Sequence, residues 1–168
     1  ASGKTGVAQS DAKRLPFPNG HFDRVLMFDV VEHLYPWELH QAMLEARRVL
    51  RPGGLFVVHT APNVWYDRYA YPFVRMFRIL SGEGAKYPAN PRALNVAVNV
   101  EVHVNEQSGF SLWQTLRAAG FGIKKVWLDS PPQNRNEGKL LATLRKFLFE
   151  APPFRWFFER EVFTVAKK

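Results

Sequence analysis

The chain contains no cysteine in its 168 residues, which removes disulfides, thiolate nucleophiles and cysteine-ligated zinc from consideration. The redox compartment stays open on that evidence. No uninterrupted apolar run approaches the length of a membrane span, and the first residues lack the basic-then-apolar order of a signal peptide, so a cytoplasmic location is the expectation. Internal repeats and low-complexity tracts are also missing. So is a phosphate-binding loop. Ser2-Gly-Lys-Thr5 imitates the end of one without the preceding strand and first glycine, and Gly82-Glu-Gly84 follows a helical pattern and lacks the third glycine.

What is present fits one globular α/β domain with a sizeable core, at 46% hydrophobic and 23% charged residues. The net charge of +8 favours contact with an anionic partner: phosphate groups, nucleic acid or a membrane surface. Nucleic acid ranks last of these, because no recognition motif or concentrated basic stripe accompanies the charge.

Val25-Leu-Met-Phe28 is too short for a helix and suits a central strand, Phe22 to Phe28, buried on both faces. Pro36 and Glu38 open a helix in which Leu39, Ala42, Met43, Ala46, Val49 and Leu50 recur at three and four residues. Arg47, Arg48 and Arg51 crowd its last turn, where cations suit the dipole, and Pro52-Gly53-Gly54 stops it. Leu55 to Thr60 then reads as the next buried strand, and strand, helix and strand in this order predict a crossover between parallel strands. Ser111 is expected to cap a second helix carrying Leu112, Leu116 and Ala119 and ended by Gly120. Strands are expected at Ile123 to Leu128 and Glu161 to Ala166, and a short one at Thr5 to Ser10, ending at Asp11. In an open parallel sheet ligands collect beyond the carboxyl ends of the strands, which would set Asp11 and Asp29 at one edge. Two long connections, 64–92 and 138–160, interleave aromatic residues with arginine and lysine and read as functional inserts. Ordinary core is an equally good reading of their aromatics.

Asp11-Ala12, Leu15-Pro-Phe-Pro18, Phe22-Asp23, Asp29-Val-Val-Glu-His-Leu34 and Arg48-Val-Leu-Arg-Pro-Gly-Gly54 follow one another in an order that resembles class I S-adenosylmethionine-dependent methyltransferases of the type 11 kind. His103-Val-Asn-Glu106, Ala119-Gly120-Phe121 and Glu161 to Ala166 extend the resemblance over most of the chain. It implies an α/β fold with a Rossmann-like sheet of parallel strands, crossover helices and an antiparallel last strand. It also implies S-adenosylmethionine as cofactor, with Asp11 accepting a hydrogen bond from the adenine amino group. The Ala12 amide would face the ring nitrogen, Leu15 and Phe17 would wall the adenine, and Phe28, Asp29 and Val30 would pass beneath the methionine part. The bland readings are that Asp11 begins a turn and that Asp29 caps the turn after it.

His33 is the candidate catalytic residue, because a neutral imidazole can take the proton of an acceptor hydroxyl. Against this, Glu32-His33 reads equally as ordering the loop and packing against the sheet. Asp29, Glu32 and His33 resemble the acidic-plus-histidine spacing of a divalent ion site in some methyltransferases, but further ligands have no obvious place, so no metal is expected. His59, His103 and Asn105 are candidates for lining an acceptor pocket.

Members of this family carry a strand with a glycine-rich turn, then a strand with a ribose-binding acid, and neither precedes Asp11 here. The expectation is a single, truncated domain over 1–168, its first strands missing, that binds S-adenosylmethionine weakly or not at all. An unpaired apolar edge at Val25 to Phe28 would follow, paired by another copy in a homo-oligomer or dimer, or by a rearranged Thr5 to Ser10. The expected activity is methyl transfer to a small-molecule, glycan or lipid acceptor, with peripheral membrane contact through the basic aromatic inserts. The inserts and His103-Val-Asn-Glu106 resemble bacterial methyltransferases of cell-surface polysaccharide or lipid. A non-catalytic protein- or membrane-interaction module that retains half of the fold is the alternative.

Overall fold

The computed structural model describes residues 6–80, 82–94, 102–129, 143 and 152–168. Four strands form one sheet, β1 (Phe22–Phe28), β2 (Leu50–Thr60), β3 (Gly122–Asp129) and β4 (Glu161–Lys167), in the order β1-β2-β4-β3. β1 and β2 run parallel, and β4 lies antiparallel between β2 and β3. Helix α1 (Pro36–Val49) connects the parallel pair, as its periodicity predicts. Pro36 takes the first helical position, and the Glu38 carboxylate reaches back to accept the Tyr35 amide at 3.2 Å. Helix α2 (Tyr71–Leu80) lies in the first insert, and α3 (Gly109–Ala118) precedes β3.

The sheet buries one face. Alternation along β2 sends Phe56, Val58 and Thr60 inward, and Val162, Thr164 and Ala166 of β4 do the same, all fully buried. Against them pack Leu39, Ala42, Met43 and Ala46 of α1 and Leu112 and Leu116 of α3, with Phe121 stacked on Phe56 at 5.1 Å between ring centres. Each large apolar side chain so enclosed stabilises the fold by about 1.5–3 kcal/mol. Gly54 is required where β2 passes β1, because a Cβ there would sit 3.0 Å from the Arg51 carbonyl oxygen and 3.1 Å from that of Asp23.

The opposite face carries a row of rings across all four strands. Phe28 pairs with His59, His59 with Phe163, and Phe163 with Trp127. The rings meet edge-on at 6.1 Å, tilted at 4.4 Å and stacked at 5.2 Å, respectively. Lys125, on the same side of β3, places its ammonium 5.2 Å from the Trp127 ring centre.

Three expectations need correction. Among the described residues β1 is the unpaired apolar edge expected from the missing strands, and not the strand buried on both faces that its apolar run suggests: only Met27 is buried, while Leu26 and Phe28 remain 60% and 48% exposed. A continuous apolar run is compatible with a strand that has a bare edge, and the run alone does not separate the two. Residues 6–10 form no strand, since Val7, their one large apolar residue, is 99% exposed and gains nothing from pairing. Ser108, not Ser111, caps α3: its hydroxyl accepts the Ser111 amide at 3.1 Å, and Ser111 returns a bond to the Ser108 amide. In the second insert, the aromatic and basic residues before 152 lie outside the described residues, Thr143 aside.

Residues 11–20 are held on α1 by an ion pair that doubles as a backbone clamp. Glu45 accepts from Arg48 at 2.6 Å and from the Leu15 amide at 2.8 Å, while Arg48 also donates to the Leu15 carbonyl and to Asn19. The bond from Arg48 is the main reason that the Glu45 carboxyl lies below its ordinary pKa. A depressed carboxyl stabilises the fold above its unfolded value of about 4.3, and that contribution is lost as pH falls through the folded value. Thermal melts over a pH series should show an acid-side loss of stability that is smaller in Glu45→Gln, with the variant already less stable at neutral pH.

Candidate functional site at the carboxyl edge of β1 and β2

The site begins where β1 ends. Asp29 adopts a left-handed backbone with φ 53°, rare for a residue with a side chain, and the turn that follows contains a short helical segment, Val31–His33. Its carboxylate does not cap that turn. It lies 64% exposed, with Oδ1 3.0 Å from Nδ1 of His59, and Nε2 of His59 lies 3.8 Å from Glu161 Oε2. The His59 ring rests on Phe163, so one imidazole joins the ends of β1, β2 and β4.

On the other side of the edge, Glu32 is buried at 2% exposure. Its Oε2 accepts the Thr60 hydroxyl at 2.7 Å, and its backbone carbonyl accepts the amides of Val104 and Asn105 at 2.9 and 3.1 Å. These bonds bring 102–107 alongside the turn after β1. His33 points Nδ1 at the Val102 carbonyl at 3.2 Å, and its ring meets that of His103 at 4.9 Å. Because a carbonyl only accepts, this contact assigns the proton to Nδ1 and leaves the lone pair on Nε2. Nδ1 of His103 is buried without a hydrogen-bond partner, and Glu106 Oε1 lies 3.7 Å from it.

Asn63, fully buried, ties this edge to both inserts. Its amide donates to the carbonyls of Trp156 and Glu159, each at 2.9 Å, and its side-chain oxygen accepts the Trp65 amide at 3.1 Å. Trp65 stacks on Phe157 at 5.2 Å, so this part of the inserts is packed against itself.

The candidate residues thus fall into three groups. Asp11 does open a turn, accepting the Lys13 amide on Oδ1 at 2.9 Å, and its Oδ2 lies 3.6 Å from the Lys13 ammonium, yet the side chain stays 57% exposed. Ala12 packs against the core and Phe17 sits edge-on to Phe22 at 4.9 Å, with Leu15 held by the Glu45–Arg48 clamp. Phe28, Asp29 and Val30 occupy the strand end. His33 and His103 are brought together with Glu32. Thr60, Asn63 and Glu161 were not singled out from sequence, and only the position of Thr60 and Glu161 at strand ends pointed to them.

Residues 1–58 match the methyltransferase domain family. The chain is 31% identical over 121 residues to a "probable S-adenosylmethionine-dependent methyltransferase" of Mycolicibacterium smegmatis, covering 72% of this chain and 37% of that protein. It is 32% identical over 121 residues to the ubiquinone/menaquinone biosynthesis C-methyltransferase UbiE of Nitrosospira multiformis, covering 68% and 46%. The chain therefore spans less than half the length of either relative. Its fold matches the S-adenosylmethionine-dependent methyltransferase of Archaeoglobus fulgidus with a TM-score of 0.54 at 17% identity, over 99% of this chain and 69% of that one.

The strained turn gives a direct check on this edge. Asp29→Val should cost about 1–2 kcal/mol in urea denaturation, since a branched side chain resists the left-handed backbone. Asp29→Asn, tolerant of that conformation and able to hydrogen-bond His59, should cost clearly less.

Proposed function

We propose that this chain, whose first 58 residues carry a methyltransferase domain of the class I S-adenosylmethionine-dependent kind, forms the adenine and methionine side of a methyl-transfer site acting on an amphiphilic acceptor. One observation carries the reading. The segment from Asp11 to Phe17 lies inside the matched region and is clamped to α1 by Glu45 and Arg48, with the Asp11 carboxyl exposed beside it.

When bound, S-adenosylmethionine supplies a methyl group on a sulfonium, open to in-line displacement. Asp11 would accept from the adenine amino group, with the Ala12 amide, Leu15 and Phe17 holding the ring. Phe28, Asp29 and Val30 would hold the methionine part, where a carboxylate would favour the positive sulfonium. His33 offers Nε2 to the acceptor proton, although such transfer depends chiefly on positioning and exclusion of water.

The acceptor class is argued from α2. Phe73, Met76, Phe77 and Leu80 are spaced for one helical face and are 60%, 48%, 58% and 77% exposed. Arg75 and Arg78 are turned to the Tyr87 carbonyl and to Glu83. An outward apolar stripe on a chain of net charge +8 suits a lipid-like acceptor or the anionic surface that holds it. A quinone precursor is one member of that class, in keeping with the relatives named for ubiquinone and menaquinone biosynthesis. The same stripe supports the second reading, a membrane-interaction module without catalysis.

Asp11→Ala should weaken S-adenosylmethionine binding about tenfold by calorimetry, the value of one charge-assisted hydrogen bond, with only a small drop in melting temperature from the exposed turn it releases. Unchanged affinity would remove the adenine assignment. Phe73→Ser with Phe77→Ser should reduce co-sedimentation with anionic vesicles by at least about tenfold. Labelled methyl transfer to quinone precursors and lipid extracts separates the enzyme from the module, which would bind vesicles and transfer nothing.

A further inference from the structure

The turn after β1 and the segment at 102–106 gather more ligating groups than methyl transfer uses. Glu32, His33 and His103 each offer one ligand atom, and these atoms lie within 4.8 Å of one another. The sequence-based metal set of Asp29, Glu32 and His33 is not the one assembled, because Asp29 is engaged with His59. His103 takes its place and supplies the further ligand that sequence spacing left without a position.

Three observations point to a cation as the partner that suits this cluster. Glu32 is a buried carboxylate whose partners are a hydroxyl and no lysine or arginine among the described residues. Burying a carboxylate without a cation is costly, and such groups are ordinarily paired or bound to metal. Nδ1 of His103 is buried with no hydrogen-bond partner, and the Glu106 side chain beside it is itself only 3% exposed. His33 has its Nδ1 proton fixed on the Val102 carbonyl, the arrangement by which metal-bound histidines are oriented, with Nε2 left to ligate.

We propose that Glu32, His33 and His103 form a binding site for a first-row divalent cation of the zinc class. Two imidazole nitrogens and one carboxylate oxygen suit zinc, cobalt or nickel better than magnesium, which prefers an all-oxygen octahedron. Ligands of a tetrahedral zinc with bonds of about 2.1 Å lie about 3.4 Å apart, so the cluster closes by small side-chain rotations. Three protein ligands leave a fourth position open, where a polar group of the acceptor would meet the ion. An ion at Nε2 of His33 also withdraws that lone pair from proton transfer, so the two roles exclude each other.

The test uses untagged, chelator-treated protein titrated with Zn2+ by calorimetry and with Co2+ by visible absorption. Stoichiometric binding is expected, with a d–d band of low-coordinate Co2+ and a melting temperature raised by Zn2+ and restored by chelator. His33→Ala and, independently, His103→Gln should each weaken binding by about 10–100-fold or more. His21→Ala and His40→Ala should leave it unchanged. Because His33 is exposed, its variant should stay folded by circular dichroism, which keeps the affinity loss interpretable. The proposal is overturned if folded wild-type protein takes up no stoichiometric ion, or if His33→Ala and His103→Gln bind as wild type does. No readout involves methyl transfer, so such a result would leave the methyltransferase reading intact.

Discussion

The hydrogen bonds made by Glu32 are the constraint on which the carboxyl edge of the sheet depends. A buried carboxylate that accepts from Thr60 at the end of β2 fixes the turn after β1 relative to the strand beside it. The carbonyl of the same residue receives the Val104 and Asn105 amides and so docks a segment far away in sequence. Leaving that carboxylate with no partner would be costly, so its bond to Thr60 holds the turn to β2, while the backbone carbonyl of the same residue holds the third segment. Side chains placed by such an edge keep their spacing with little freedom, as a binding or catalytic constellation requires.

The Glu45–Arg48 clamp is a second device of the same kind at the other end of α1. Arg48 belongs to the run Arg48-Val-Leu-Arg-Pro-Gly-Gly54, whose last glycine serves the close passage of β2 against β1. Its guanidinium serves the segment before β1 instead, gripping both the Leu15 carbonyl and Asn19. One short stretch therefore ends a helix, starts a strand and holds the loop that carries Asp11.

Much of this was legible in the sequence where period and chemistry agree. α1 follows from its apolar spacing together with Pro36 and Glu38, and the parallel β1–β2 pair follows from strand, helix and strand. The ordered motifs led to the methyltransferase family because each is weak alone and their succession is not. Other features are encoded only in three dimensions. The exposure of Leu26 and Phe28 does not follow from their apolar run, which reads alike at an edge and in a centre; only the order of the motifs pointed to an edge. His103 reaches Glu32 and His33 through two backbone hydrogen bonds, which no local pattern announces. The cap of α3 was misplaced by one turn because Ser108 and Ser111 bond each other reciprocally, and either serine fits the N-terminal signature.

The row of rings from Phe28 through His59 and Phe163 to Trp127 works like a key cut across four strands. Side chains alternate between faces, so sliding any one strand by a single residue would turn its ring into the helix-covered core and bring a core residue out. Each of the three junctions in the row would report such a slip at once, by a lost contact on one face and a steric clash on the other. The ring-bearing face of the sheet therefore proofreads the alignment of the face that α1 and α3 cover.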